Sequence, residues 1–169
     1  NKSLSVVPIT THTDINKVSK KITSYLIRKK IFTLNDWFKR YFKKKPKIAI
    51  LGLNPHNAEF RKDSEEYKII LPTINFLKKR RIYLSGPIAA DTVFLDNYKK
   101  YDVIVGMYHD QVLTPFKALY KYNAINITLG LKYLRASPDH GVATDLVKKF
   151  KANPTSLIEC IYFFNRFKK

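Results

Sequence analysis

The chain of 169 residues carries 32 Lys and Arg against 13 Asp and Glu, a formal charge of +19. That length can bury a real core, and an apolar share of 45% with 14% aromatics excludes a disordered or low-complexity chain. No apolar run approaches the roughly 20 residues of a membrane-spanning helix, and the lone Cys160 excludes an internal disulfide and a cysteine-based zinc cluster.

A single cysteine fits a reducing compartment, so a cytoplasmic location is expected. The sequence opens on Asn1 with no signal-peptide pattern and is expected to begin inside a longer chain. The positive charge has two readings. One is the footprint of a nucleic-acid binder. The other is composition: Lys, Ile, Asn, Tyr and Phe are abundant together, as AT-rich coding produces. Nucleic-acid selection would enrich Arg as well as Lys and would not enrich Ile, so composition is the preferred reading. No specific nucleic-acid partner and no membrane partner are expected.

In chain order, Leu4 to Thr10 reads as a short apolar strand. Asp14 caps a helix with Ile15, Val18, Ile22, Tyr25 and Leu26 on one face. Thr33 with Asp36 resembles a second helix start, followed by the stripe Leu34, Trp37, Phe38, Tyr41 and Phe42. Lys43 to Lys45 before Pro46 closes it with cations at a helix C-terminus. Residues 1–45 hold twelve Lys and Arg against Asp14 and Asp36, read as solvated helix faces.

Lys47 to Leu53 (KIAILGL) reads as a buried strand breaking into Asn54-Pro55-His56. A helix is expected from Ser64 to about Lys79 with a bend near Pro72. Strands follow at Ile82–Ser85, Asp102–Met107, Ala124–Leu129 and Leu131–Arg135, with helices near 141–150 and 155–167. Strands alternating with helices indicate an α/β fold with a mostly parallel sheet flanked by helices. No internal repeat or long linker divides residues 1–169, which are expected to form a single folding unit.

His12, His56 and His109 each follow an apolar strand-like run: SVVPITTH, IAILGLNPH and DVIVGMYH. In parallel α/β sheets, ligands bind outside the carboxyl ends of strands. Imidazoles delivered there can converge on one cation and leave positions open for chemistry. Three ordinary loop histidines are the alternative, and spacing alone leaves the two level. Further on, Lys117, Asn126 and Arg135 lie nine residues apart at helix and strand ends. A Lys point charge and an Arg fork suit phosphate or carboxylate oxygens, against the alternative of surface cations in a cationic chain. No G-x-G-x-x-G fingerprint, P-loop or nucleophile elbow is present. Cys160, within the apolar helix SLIECIYFF, reads as core rather than nucleophile.

GLNPH (52–56), GPIAADT (86–92), MYHDQ (107–111), PFK (115–117), NITLGL (126–131), RAS (135–137) and DHG (139–141) occur in the order and spacing of one enzyme family. On these motifs the chain resembles the C-terminal half of 4-hydroxythreonine-4-phosphate dehydrogenases, with the N-terminal part missing. The resemblance implies an isocitrate/isopropylmalate dehydrogenase-like fold and an NAD-dependent oxidation and decarboxylation of 4-phosphooxy-L-threonine. It further implies a divalent metal (zinc, magnesium or cobalt), a phosphorylated small-molecule substrate, and a homodimer with the site shared between subunits.

Carried over residue by residue, the resemblance makes His12, His56 and His109 the metal ligands and Lys117, Asn126 and Arg135 the substrate contacts. Lys117, Asp91 and Asp110 are its catalytic or supporting candidates, because a metal-bound His usually donates its other N–H to a carboxylate or carbonyl. No NAD contact is legible. His140, in DHG, matches no ligand position and reads as a loop residue. After His56 the family has a glycine-rich turn, whereas residues 57–66 here contain no glycine. Positive φ is therefore not expected along that loop. A truncated or decayed remnant that keeps fold and metal site, and a basic binding protein on an old enzyme fold, are the alternative functional readings.

Overall fold

The computed structural model describes residues 1–141, 144–146, 149 and 151–167. They divide into two compact units: Lys2–Phe116, and Lys117–Lys169 together with Asn1.

The first unit is built on four parallel strands: β1 (Ser5–Pro8), β2 (Ile48–Leu51), β3 (Leu84–Ile88) and β4 (Val103–Gly106), in spatial order β1-β4-β2-β3. β2 and β4 are buried at every position, as expected of inner strands of a parallel sheet covered on both faces. Around the sheet lie α1 (Ile15–Lys21), α2 (Ser24–Phe42), α3 (Leu71–Lys79) and the short α4 (Ala90–Val93).

α2 buries Ile27, Ile31, Leu34 and Phe38, one stripe at helical spacing, and leaves Lys29, Lys39 and Arg40 exposed, while the half-buried Lys30 donates to the Pro8 carbonyl at 2.9 Å. The expected helix start at Thr33 is displaced. The chain breaks instead at Ile22, and Thr23 caps α2 by accepting from the Leu26 amide at 3.1 Å. Thr33 sits inside the helix, its hydroxyl donating to the Lys29 carbonyl at 3.0 Å.

The irregularity expected near Pro72 lies one turn earlier, as a π-helical turn over Glu66–Ile70 that runs into α3. Proline lacks an N–H and crowds the carbonyl four residues back, so the turn before it opens. Ser64 starts this segment, accepting from the Tyr67 amide at 3.2 Å.

Helix α5 (His109–Tyr120) starts in the first unit and ends in the second. The second unit holds an antiparallel pair, β5 (Ile125–Thr128) and β6 (Arg135–Pro138), with α6 (Thr155–Asn165) packed on it. The strand expected at 131–135 thus begins where it was expected to end. The helix expected near 141–150 is a single turn, Thr144–Leu146, with positions 142, 143, 147, 148 and 150 outside the described residues. Ser156 pins α6 to both strands: its hydroxyl donates to the Ala124 carbonyl and accepts from the Asp139 amide. Cys160 is buried on α6, and burial pushes its thiol pKa up. Among the described residues no helix is long and apolar enough to cross a membrane.

Candidate functional site

Because β1, β4 and β2 are adjacent and parallel, their carboxyl ends open on the same edge of the sheet. His12, His109 and His56 follow those three strands. The connections are tied together. The Thr10 amide and hydroxyl both donate to the Met107 carbonyl, at 3.1 and 2.8 Å, which holds the segment before His12 against the one before His109. Gln111 accepts from the Met107 amide and donates to the Gly52 carbonyl, each at 2.7 Å, joining the ends of β4 and β2.

The rings of His12 and His109 lie 6.4 Å apart, centroid to centroid. Two imidazoles on one ion place their centroids up to about 6 Å apart, given metal–nitrogen bonds near 2.1 Å. This pair therefore stands at the outer limit of a shared ligation geometry. His56 lies apart from the pair, with Nδ1 3.9 Å from Asp91 Oδ2, both side chains exposed. Among the described residues no group of three or more His, Cys, Asp or Glu is close enough to hold an ion within one chain. The donor chemistry suits a borderline divalent cation, but one chain supplies an incomplete set.

Each of two imidazoles has a carboxylate beside it. Asp110 Oδ1 is 2.6 Å from His109 Nδ1, which fixes the ring and leaves Nε2 as the second ring nitrogen, available to accept. Asp91, in the first turn of α4, is the carboxylate facing His56.

The His56 loop has an unusual path. His56, Asn57, Ala58, Glu59 and Phe60 have φ values of 49, 57, 49, 50 and 55°. Five successive residues with side chains thus adopt the left-handed region that the missing glycines led us not to expect. Each costs roughly 1–2 kcal/mol against a right-handed conformation, so the surroundings must impose the path.

The segment leading into the run is anchored by Glu66, which is fully buried. Its carboxyl group accepts from the amides of Leu53 and Asn54, both at 2.7 Å, and from Asn54 Nδ2 at 2.9 Å. Glu65 accepts from Asn54 Nδ2 at 2.8 Å and from the Ser19 hydroxyl. The Ser19 bond is the main cause holding the Glu65 pKa below the usual carboxylate range, with Asn54 assisting against the opposing effect of burial. Asn57 donates to the Pro87 carbonyl at 3.2 Å. Its buried Oδ1, which has no hydrogen-bond partner, fills the space where a side chain on Gly52 would stand.

In the second unit, the antiparallel register pairs Asn126 with Ser137 and Thr128 with Arg135, which puts these four on one face of the hairpin. Arg135 donates to the Thr128 hydroxyl at 2.7 Å. Lys117 is held by Asp139, bonded to its carbonyl and paired with its carboxylate at 3.1 Å. His140 is an exposed loop residue.

The residues that sequence reading did not single out are Gln111, Asn54 and Glu66. Their signal was only that each stands inside or just beyond a motif carrying a histidine.

Residues 1–164 match the family described as pyridoxal phosphate biosynthetic protein PdxA. A 4-hydroxythreonine-4-phosphate dehydrogenase from a Sulfurihydrogenibium species is 45% identical over 162 residues, covering 95% of this chain and 50% of that protein. A D-threonate 4-phosphate dehydrogenase from Pectobacterium atrosepticum is 37% identical over 156 residues, covering 91% of this chain and 48% of its own length. The crystal structure of the 4-hydroxythreonine-4-phosphate dehydrogenase from Klebsiella pneumoniae superposes with a TM-score of 0.83 at 33% identity, covering 96% of this chain and 50% of that one. The chain spans about half the length of the curated relatives it matches. With its strand order, its motifs and its histidines in that setting, the chain belongs to the PdxA family of pyridoxal phosphate biosynthetic proteins.

Proposed function

We propose that this chain is the C-terminal half of an NAD-dependent, metal-dependent dehydrogenase. Its substrate is 4-phosphooxy-L-threonine, oxidised at the secondary alcohol and decarboxylated to 3-amino-2-oxopropyl phosphate in pyridoxine 5′-phosphate biosynthesis. The observation that carries this reading is the delivery of His12, His109 and His56 to one edge of three adjacent parallel strands. The reading includes a homodimer in which a second copy completes the donor set for zinc, magnesium or cobalt.

When bound, the cation supplies Lewis acidity, lowering the proton affinity of the substrate alcohol and stabilising negative charge as carbon dioxide departs. The chain's own residues do the rest. Asp110 holds His109 in one ring orientation, while Asp91, 3.9 Å from the His56 ring and beyond hydrogen-bond range, supplies a neighbouring negative charge. Lys117 offsets substrate charge and carries a proton, while Asn126 and Arg135 orient and anchor anionic oxygens.

A second reading is favoured by one observation, the left-handed run His56–Phe60 built without glycine. In that reading the chain keeps fold and metal site but does not turn over. The deciding experiment is NADH formation from 4-phosphooxy-L-threonine by the chain co-expressed with the N-terminal half of a relative, with D-threonate 4-phosphate as the competing substrate. Turnover that His109→Ala abolishes is the expected result. Absent turnover in a complex that binds metal would establish the remnant.

A further inference from the structure

A cavity of about 370 Å³ lies away from the histidines and is lined by Lys45, Lys47, Arg81, Ile82 and Tyr83. These residues immediately precede β2 and β3, so the cavity sits at the amino-terminal edge of the sheet. The imidazoles follow the carboxyl ends, and a four-residue strand separates the two edges by about 13 Å. The Ile48 amide donates to the Tyr83 carbonyl at 3.1 Å, which knits the two entering segments together and fixes their spacing.

The cations here are arranged differently from those spread along α1 and α2. Three converge on one concavity, and the nearby acid is already committed. Asp102 accepts from the Lys47 amide at 2.8 Å with one oxygen and pairs with Lys44 at 2.6 Å with the other. Among the described residues the side chains of Lys45, Lys47 and Arg81 form no ion pair. Arg81 also occupies a left-handed backbone position after α3, with φ of 60°, where glycine would be free of strain. Tyr83 is 61% exposed beside them. Three cations with one carboxylate nearby, itself shared with Lys44, keep a net positive charge that favours a multiply charged anion; Arg offers a two-pronged donor to phosphate, and an exposed ring accepts a stacked base. The volume is within the range of small-molecule sites.

We propose that this cavity binds a small oligophosphate, either a nucleoside triphosphate or an inorganic chain. Calorimetric titration of the full chain with ATP and with tripolyphosphate, at about 150 mM salt where weak surface attraction is screened, tests it. One site per chain is expected. Lys45→Ser, Lys47→Ser and Arg81→Ser combined should weaken both ligands at least tenfold, and Lys17→Ser, Lys20→Ser and Lys21→Ser combined, which removes equal charge elsewhere, less than twofold. Tyr83→Ala weakening ATP alone identifies a nucleotide; affinities for both ligands unchanged from the parent in that variant identify the inorganic chain. His109→Ala should leave affinity unchanged, which separates this site from the proposed reaction. Equal weakening in the two triple variants, several ions bound per chain, or tighter binding of single-stranded RNA than of either ligand would overturn the proposal. Circular dichroism of each variant confirms that it is folded.

Discussion

Gln111 on α5 donates to the carbonyl of Gly52 at the end of β2, at 2.7 Å, across 59 positions of sequence. With its other atom accepting from Met107, the side chain replaces backbone pairing where β2 and β4 have stopped. Gln111→Leu keeps the size and leaves two half-buried backbone groups unpaired. A loss of about 2 kcal/mol is expected, read as a lower urea midpoint at unchanged slope.

Glu66 does similar work one loop away. A fully buried carboxyl group with three N–H donors is satisfied, and its removal takes away the acceptor of the Leu53 and Asn54 amides while Asn54 Nδ2 keeps Glu65. Glu66→Ala should cost about 3 kcal/mol or more, and Glu66→Gln about half that, because one carboxamide oxygen remains to accept while the NH2 faces another donor. Thermal melts of the pair check the order. Equal melting temperatures in the two variants would contradict a hydrogen-bonding role.

What could be read in advance follows from the range of each interaction. The runs KIAILGL and DVIVGM could be placed as inner strands because their burial is written in consecutive residues. Thr33 and Thr23 are both threonines at the edge of an apolar stripe. Only the break of the chain at Ile22, set by packing, selects Thr23 as the cap. The histidines were visible from their position after strands. The order β1-β4-β2-β3 that makes their strands neighbours is a long-range property that no local pattern encodes. The left-handed path of His56–Phe60 was misjudged for the same reason: local preference opposes it, and distant bonds from Glu66 and Asn57 support it.

That conflict can be measured. Glu59 is exposed with φ of 50° and ψ of 26°. Glycine there removes the steric penalty without removing buried surface. Glu59→Gly is expected to stabilise the chain by about 1 kcal/mol, the reverse of the usual effect of introducing glycine. A destabilised variant would mean that the backbone does not pass through the left-handed region at this residue.

Asp102 provides a pH-dependent test. Burial acts to raise its pKa, but the bonds from Lys44 and the Lys47 amide, with the charges of both lysines, outweigh this and hold it below the ordinary aspartate value. A folded pKa below the unfolded one contributes stability above the unfolded value, about pH 4, and that stability is lost as pH falls through the folded value. Asp102→Asn should therefore be less stable than the parent at pH 7 by about 1 kcal/mol. The difference should shrink as pH falls below about 4. A gap that persists unchanged at pH 2.5 would assign the effect to shape rather than charge.

The incomplete donor set of one chain makes a prediction about two. His12 and His109 lie together while His56 stands apart beside Asp91. If a second copy completes the site, His56 and His109 of any one metal centre come from different chains. His56→Ala and His109→Ala should then each abolish zinc binding alone. A mixture of the two, unfolded and refolded together, should recover binding. In each mixed dimer one centre lacks both ligands and the other keeps all three. Random pairing makes half of the dimers mixed, so about a quarter of the parent stoichiometry is expected. Recovery also ties metal binding to assembly, and light scattering should show dimers enriched when zinc is present. If each variant alone keeps full zinc stoichiometry, the histidines are loop residues that share only a sheet edge. If the mixture recovers nothing, all three belong to one chain and must close by a movement of the His56 loop.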